Sequence, residues 1–148
     1  DVFLMYKESI KISQNTNELS INFSNYAFWP RYIKNYIEDC INLYSSNEMG
    51  KYNMRWVGSL VADCYRILIR GGVFLYPQDI RKGYEKGRLR LVYEANPIAF
   101  LIEQSGGFAT DGKNRILSLK PQNIHERVPF IFGSKNEKYR LQKLYGKI

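Results

Sequence analysis

Apolar residues along the chain alternate between extended runs and helical spacing, with polar stretches and glycines between them. Phe3–Ile12 and Glu18–Phe23 are rich in β-branched and aromatic residues, which favours strands. The polar stretch Ser13–Asn17 predicts a turn between these runs, so the two strands can pair as a hairpin. Pro30 suits a first helical residue, and the apolar residues behind it recur at helical spacing as far as Tyr44.

A second helix and a short strand are predicted in the middle of the chain. The helix begins near Ser59, a suitable N-cap, and ends at Gly71–Gly72, where glycine permits a left-handed residue. Val73–Tyr76 then reads as a strand, and Gln78–Arg88 as an exposed basic loop. The predicted apolar face of the helix is formed by Leu60, Val61, Cys64, Tyr65 and Leu68.

The C-terminal third continues the alternation of strands and helices. Leu89–Val92 is extended or irregular, and Pro97 opens a helix over Ile98–Gln104. The remaining predicted elements are the strands Phe108–Ala109, Ile116–Leu119 and Phe130–Phe132 and the helix Asn136–Tyr145. The pattern indicates an α/β or α+β fold with a layered sheet, and the hairpin makes a mixed sheet the expectation.

Composition and charge narrow the class of protein. The chain has 148 residues, with 22 Lys and Arg against 14 Asp and Glu, a net charge of +8. This charge implies an anionic partner: nucleic acid, a membrane surface or a phosphorylated metabolite. A hydrophobic content of 45% excludes disorder, and no apolar run is long enough to span a bilayer. Two isolated cysteines, Cys40 and Cys64, form no disulfide framework or zinc site and favour a reducing, cytoplasmic setting.

Several basic and phenolic side chains occupy positions that suit an anion site. Arg55 lies just before the predicted start of the second helix, whose free N–H groups attract phosphate. On its own, however, Arg55 is better read as a solvated surface residue. Tyr76 ends a strand, and its hydroxyl could face a ligand, but on spacing alone a place at the edge of the core is the better explanation. Arg88 and Arg90 would share one face of an extended segment.

Acidic residues give one candidate for metal chemistry. Glu94 precedes an apolar helix, so its carboxylate could cap that helix or bind Mg²⁺. A single carboxylate cannot form a two-metal site. Asp111 lies in a turn that explains it, and His125 has no catalytic partner in sequence, so we treat both as structural. No phosphate-binding loop, dinucleotide fingerprint or nucleophile elbow is present.

Five blocks of the chain, in order, resemble class 1 fructose-1,6-bisphosphatases. The blocks are Ser20–Asn25, Asn53–Asp63, Arg70–Pro77, Gly87–Pro97 and Ile124–Pro129. The resemblance implies that residues 1–148 are the C-terminal domain of such a subunit, with a layered α-β-α, inositol-phosphatase-like fold. It also implies that the missing N-terminal half carries the other acidic metal ligands and the AMP-responsive site. The strand-like apolar run at the start of the chain likewise predicts a fragment.

The resemblance assigns a substrate phosphate to one group of residues. Asn22, Tyr76 and Arg88 would bind the 6-phosphate of the sugar. Arg55 would reach the 6-phosphate bound by a neighbouring subunit, and Trp56 takes a position near that phosphate.

The resemblance assigns the sugar and the reaction centre to a second group. Leu60 would offer backbone groups to the sugar hydroxyls, and Phe74 and Leu75 belong to the substrate-binding set. Glu94 would be the one metal ligand contributed by this half, for Mg²⁺ with Mn²⁺ or Zn²⁺ as alternatives. Arg90 would lie near the reacting phosphate.

The implied function is Mg²⁺-dependent hydrolysis of fructose 1,6-bisphosphate to fructose 6-phosphate, a cytoplasmic reaction of gluconeogenesis. The implied partners are the N-terminal half and the other subunits of a homotetramer, without membrane or nucleic acid. We expect this chain alone to be inactive, because it offers only one candidate metal ligand. An inositol phosphate or another sugar bisphosphate, such as sedoheptulose 1,7-bisphosphate, is the alternative substrate. A basic nucleic-acid-binding module is the alternative from a different class.

Overall fold

The computed structural model describes residues 2–41 and 52–145. Strands and helices alternate through these residues. The strands are β1 (Glu18–Ile21), β2 (Asn53–Met54), β3 (Val73–Tyr76), β4 (Leu89–Arg90), β5 (Phe108–Thr110), β6 (Arg127–Val128) and β7 (Phe130–Gly133). The α-helices are α1 (Arg31–Ile41), α2 (Leu60–Arg70), α3 (Asn96–Gln104) and α4 (Lys135–Tyr145). None of the helices in the described residues is long and apolar enough to cross a membrane.

A mixed five-stranded sheet forms the centre of the fold, in the order β2-β1-β3-β7-β5. Strands β2, β1 and β3 are parallel, because α1 and α2 return the chain to the same end of the sheet. Strand β7 runs antiparallel to both β3 and β5. Strands β4 and β6 form a separate two-stranded ladder. The predicted α/β class and mixed sheet are confirmed.

Alternate residues of the central strands face two separate apolar layers. Leu19 pairs with Val73 in the sheet, and both contribute to the layer beneath α1 and α4. Phe74 pairs with Phe132 one position along, and both contribute to the layer beneath α2 and α3. This period of two follows from the pleat of the strands. Both faces of the sheet are therefore covered by helices, which gives the α-β-α arrangement.

The predicted N-terminal strand and its hairpin are wrong. Residues 2–17 contain no strand, and β1 instead pairs in parallel with β2 and β3. The side chains of Val2–Tyr6 are at least 76% exposed. An apolar run indicates only that its side chains tend to be buried. A strand also needs a neighbouring strand to pair with, and the described residues provide none for this run.

Smaller differences concern local backbone and helix orientation. Ile116–Leu119 was predicted as a strand, but Ile116–Ser118 forms a 3-10 turn that places Ile116 in the core. On α2, Val61 and Tyr65 are 71% and 57% exposed instead of facing the core. A buried Asp63 turns inward and rotates the helix relative to its predicted apolar face. Tyr44, the predicted end of the first helix, lies outside the described residues.

A buried carboxylate fixes α4 against α1. Glu137 is 2% exposed and accepts hydrogen bonds from the hydroxyls of Tyr36 and Tyr52 at 2.5 and 2.7 Å. Its third partner is the guanidinium of Arg140, at 3.0 Å. Burial raises the pKa of the Tyr36 phenol, which keeps its proton available for this bond. The predicted C-terminal helix is confirmed, and its position depends on these polar contacts as well as on Leu141.

The two cysteines should resist alkylation in the native protein. Both thiols are free and buried, and burial raises the pKa of Cys40 and of Cys64 to about 11. Near pH ~8.5 an exposed thiol is about half ionised, whereas these two stay protonated. We expect iodoacetamide to label them at least ~100-fold more slowly than in urea-unfolded protein. Peptide mass spectrometry measures each site separately, and labelling of either native thiol at the unfolded rate would contradict the prediction.

Candidate functional site

Three residues predicted to bind substrate lie where the parallel strands end. Asn22 directly follows β1, Arg55 directly follows β2, and Tyr76 is the last residue of β3. Parallel strands expose their carboxyl ends at one edge of a sheet, and ligands of open α/β sheets bind outside that edge. The pairing of Ile21 with Leu75 shows that β1 and β3 end together. Segments far apart in sequence therefore meet at one edge.

Asn22 and Tyr76 share a small pocket with Leu75, Asn25 and Asp79. The Oδ1 atom of Asn22 accepts the backbone N–H of Ser24 at 3.2 Å and so caps the following 3-10 turn. Its amide nitrogen remains the group that can donate to a ligand. Tyr76 is half-buried, so its ring packs while its hydroxyl can face a ligand.

Asp79, which lines this pocket, belongs to an ion pair that our sequence reasoning missed. Asp79 and Arg81 are bonded through two guanidinium nitrogens, and Nη2 of Arg81 also donates to Oδ1 of Asn25 at 2.9 Å. Burial opposes ionisation of Asp79, but the hydrogen bonds from Arg81 outweigh it and lower the pKa of the carboxyl group. The sequence predicts an exposed loop over Gln78–Arg88, yet Asp79 is buried. The sequence signal that could have indicated this pair is an aspartate followed two residues later by an arginine.

Arg88 lies at the end of the same loop. Its guanidinium stands over the ring of Tyr84 at 4.2 Å, which orients the charge. The preceding Gly87 has a φ of +79°, and a Cβ atom there would lie 2.3–2.4 Å from the backbone of Val128 and Pro129. Glycine thus allows the close approach from which β4 starts its pairing with β6.

An aromatic stack supports the segment that follows β2. The ring of Trp56 is stacked on Phe74 at 5.9 Å and lies 6.1 Å from Tyr76. Phe74 is buried in the core, so its side chain affects this surface through Trp56. Arg55, which precedes Trp56, is exposed. Leu60 begins α2, and its N–H therefore belongs to the first turn, whose donors have no partner within the helix.

Glu94 lies in a π-helical turn, Leu91–Ala95, immediately before α3. Its Oε2 atom accepts the backbone N–H of Arg90 at 2.7 Å and lies 3.6 Å from Nη1 of the same residue. The carboxylate is bonded to Arg90 in this turn, and the residue at the N-cap of α3 is Ala95. Such turns are frequent at functional sites.

The geometry of Glu94 suits one ligand of a larger metal site. The Arg90 N–H orients one oxygen, and a half-buried carboxylate is a hard ligand of the kind Mg²⁺ prefers. Within residues 2–41 and 52–145, no three His, Cys, Asp or Glu side chains are grouped so that they could hold a metal ion. A metal site that included Glu94 would need further ligands from outside the described residues.

Comparison with known proteins identifies the family. The model of the family described as "Fructose-1-6-bisphosphatase, C-terminal domain" matches residues 12–146. A class 1 fructose-1,6-bisphosphatase of Rhizobium meliloti is 54% identical over 95% of this chain and 40% of its own length. Those of Azorhizobium caulinodans and Bradyrhizobium diazoefficiens are 51% and 50% identical over 97% of this chain and 44% and 41% of their own lengths. The chain thus spans less than half the length of these relatives, and it belongs to the fructose-1,6-bisphosphatase C-terminal domain family.

Proposed function

We propose that this chain is the C-terminal part of a Mg²⁺-dependent phosphatase that converts fructose 1,6-bisphosphate to fructose 6-phosphate in gluconeogenesis. In this proposal it supplies the site for the 6-phosphate and the sugar, and one metal ligand. The observation that carries the proposal is the meeting of Asn22, Arg55 and Tyr76 at one edge of the sheet. The names of the relatives support the same activity.

The 6-phosphate would act as a remote handle for the reaction. Asn22, Tyr76 and Arg88 would bind it through an amide, a phenol and a guanidinium, which are donors suited to phosphate oxygens. Binding energy collected at a phosphate that does not react can hold the 1-phosphate in line with water. Leu60 would offer backbone groups to the sugar hydroxyls, and Trp56 would lie near the phosphate that Arg55 reaches.

Glu94 would be the metal ligand from this half, and Arg90 would lie beside the reacting phosphate. When bound, divalent cations lower the pKa of water and stabilise charge on the phosphate oxygens. The hydrogen bond from the Arg90 N–H holds the Glu94 carboxylate in one orientation. The Arg90 guanidinium, 3.6 Å from that carboxylate, could also reach a phosphate oxygen.

Exposed apolar side chains support the proposed partners. Val57 and Val61, near Arg55 in sequence, are 62% and 71% exposed, which suits cover by a second subunit whose 6-phosphate Arg55 would reach. Tyr93 and Phe100 are exposed close to Glu94 in sequence, which suits cover by the N-terminal half that would bring the other carboxylates. We propose a homotetramer of complete subunits in the cytoplasm, and the two free thiols fit a reducing compartment.

Activity should require both halves of the subunit. We define the full-length subunit as this chain joined to an N-terminal half, its own or that of the Rhizobium meliloti relative. With Mg²⁺, we expect the full-length subunit to release phosphate from fructose 1,6-bisphosphate and this chain alone to release none. Steady-state phosphate assays measure both, with sedoheptulose 1,7-bisphosphate and an inositol phosphate as competing substrates. Turnover by the pure chain, or a preference for a competing substrate, would contradict the proposal.

Arg55→Ala in the full-length subunit should raise KM for fructose 1,6-bisphosphate about tenfold with little change in kcat. The physical reason is that Asn22, Tyr76 and Arg88 would still align the sugar, so the donor lost with Arg55 weakens binding equally in the ground and transition states. Arg31→Ala is the matched control, since Arg31 is also exposed but starts α1. An Arg55→Ala variant with the KM of the control would remove Arg55 from the phosphate site.

A further inference from the structure

A buried charged cluster lies behind the segment that carries Arg55. Asp63 on α2 is fully buried and accepts hydrogen bonds from the Ser20 hydroxyl at 2.7 Å and from Nη1 of Arg66 at 3.0 Å. Nε of Arg66 lies 3.5 Å from a carboxylate oxygen of Glu18. The cluster therefore links β1, through Glu18 and Ser20, to the first two turns of α2.

The same arginine holds the backbone of Arg55. Nη1 of Arg66 donates to the carbonyl oxygen of Arg55 at 2.8 Å. The N–H of Arg55 donates in turn to the carbonyl oxygen of Leu19 at 2.7 Å. Both backbone polar groups of Arg55 are thus bonded to the sheet-helix framework, while its side chain is exposed. The direction in which the Arg55 guanidinium leaves the protein depends on these two bonds.

We propose that Arg66 is a positioning residue for Arg55 and that Asp63, held by Ser20, orients Arg66. This inference rests on the proposed function, in which Arg55 binds a substrate phosphate. Arg66 does not need to touch the substrate. It sets the backbone from which Arg55 reaches that phosphate, so loss of Arg66 would misplace the Arg55 guanidinium and weaken its directional bond to the phosphate.

Stability alone is a poor explanation for this cluster. Oδ2 of Asp63 and Nη2 of Arg66 are buried without a hydrogen-bond partner. Buried ion pairs with unpaired atoms contribute little to folding compared with well-packed apolar residues. The cluster also holds the backbone of Arg55 through the bond from Arg66. Apolar residues in its place could not do this, because only a hydrogen-bond donor can bind that carbonyl oxygen.

Arg70 offers a matched control on the same helix. It pairs with Glu18 at 2.5 Å, so its replacement removes a cation from the same carboxylate. It has no hydrogen bond to Arg55 among the described residues. Replacing Arg70 therefore tests the charge of the cluster, whereas replacing Arg66 also tests the bond to the Arg55 carbonyl.

The test compares Arg66→Met, Arg70→Met and Arg55→Ala in the full-length subunit. We expect Arg66→Met to raise KM for fructose 1,6-bisphosphate about fivefold with kcat within about twofold, and Arg70→Met to leave both unchanged. The double variant Arg55→Ala, Arg66→Met should have the KM of Arg55→Ala alone, because the two residues act on one contact. Arg66→Lys keeps a cation with three donors, so its KM should lie between those of Arg66→Met and the wild type.

Additive effects in the double variant, or equal effects of Arg66→Met and Arg70→Met, would overturn the inference while leaving the proposed function intact. An Arg55→Ala variant with unchanged KM would instead count against the phosphate role of Arg55 and would overturn the inference with it. If Arg66→Met does not fold, Arg66→Lys becomes the test. We expect about a twofold rise in KM for Arg66→Lys over the wild type, and no rise when Arg66→Lys is added to Arg55→Ala. A wild-type KM for Arg66→Lys would overturn the inference.

Discussion

Glu94→Gln should reduce the Mg²⁺-dependent kcat of the full-length subunit by about 100-fold or more. The substitution keeps the size of the side chain and its bond to the Arg90 N–H but removes the negative charge that would bind the cation. The Mg²⁺ concentration needed for half-maximal activity should rise as well. Steady-state phosphate release, measured across a Mg²⁺ titration, gives both quantities, and KM for the sugar phosphate should change much less.

Glu103→Gln is the control for this result. Glu103 is also a glutamate of this region, on α3, and is paired with the exposed Arg115 at 2.6 Å. Loss of that pair should leave kcat and the Mg²⁺ requirement unchanged, because among the described residues Glu103 is bonded to Arg115 and not to Glu94 or Arg90. A Glu94→Gln enzyme that matched the Glu103→Gln enzyme would remove Glu94 from the metal site.

Gly87→Ala should lower kcat/KM by about 10- to 100-fold. A methyl group at this position would lie 2.3–2.4 Å from backbone atoms of Val128 and Pro129, so one of the two segments must move. Arg88 follows directly, and β4 begins one residue later. Movement here would displace the guanidinium of Arg88 from the proposed 6-phosphate site and Arg90 from the proposed reaction centre. Steady-state kinetics with fructose 1,6-bisphosphate measure the loss.

Gly83→Ala separates the steric effect from backbone strain. Gly83 has a φ of +86°, close to the +79° of Gly87, but a Cβ atom there would have no neighbour within 4 Å. Both substitutions impose a left-handed conformation on alanine, which is mildly unfavourable. Only Gly87→Ala adds the collision with the strand. Equal losses in the two variants would show that the contact with Val128 and Pro129 has no part in positioning Arg88.

Local patterns correctly predicted the elements whose ends are marked by glycine or proline. Helix α2 ends at Gly71–Gly72, and Gly71 has a φ of +81°, which glycine adopts without strain. Strand β3 is a four-residue apolar run between these glycines and Pro77, and it forms as predicted. The two-residue strands β2 and β6 were missed because a period of two cannot be recognised in so few residues.

The residues of the candidate site could be predicted from family motifs, but not from the chemistry and spacing of the individual side chains. Taken alone, Arg55 and Tyr76 were better explained as a surface and a core-edge residue, and Glu94 could equally cap a helix. Their joint assignment rests on the resemblance of ordered blocks to one family. The family match over residues 12–146 confirms that resemblance, and the roles of the individual residues stay predictions. The Asp79–Arg81 pair escaped this reasoning because its burial depends on contacts with Asn25 and Phe28, distant in sequence.

The sequence by itself determined the helices and strands with strong periodicity, the scarcity of metal-binding His and Cys, and membership of a phosphatase family. The tertiary structure alone decided that Asn22, Arg55 and Tyr76 share one edge of the sheet, since parallel pairing joins segments that no local pattern connects. It also decided that Arg66 bonds to the carbonyl of Arg55. Local pattern reports which side chains need burial, whereas long-range pairing determines which of them meet.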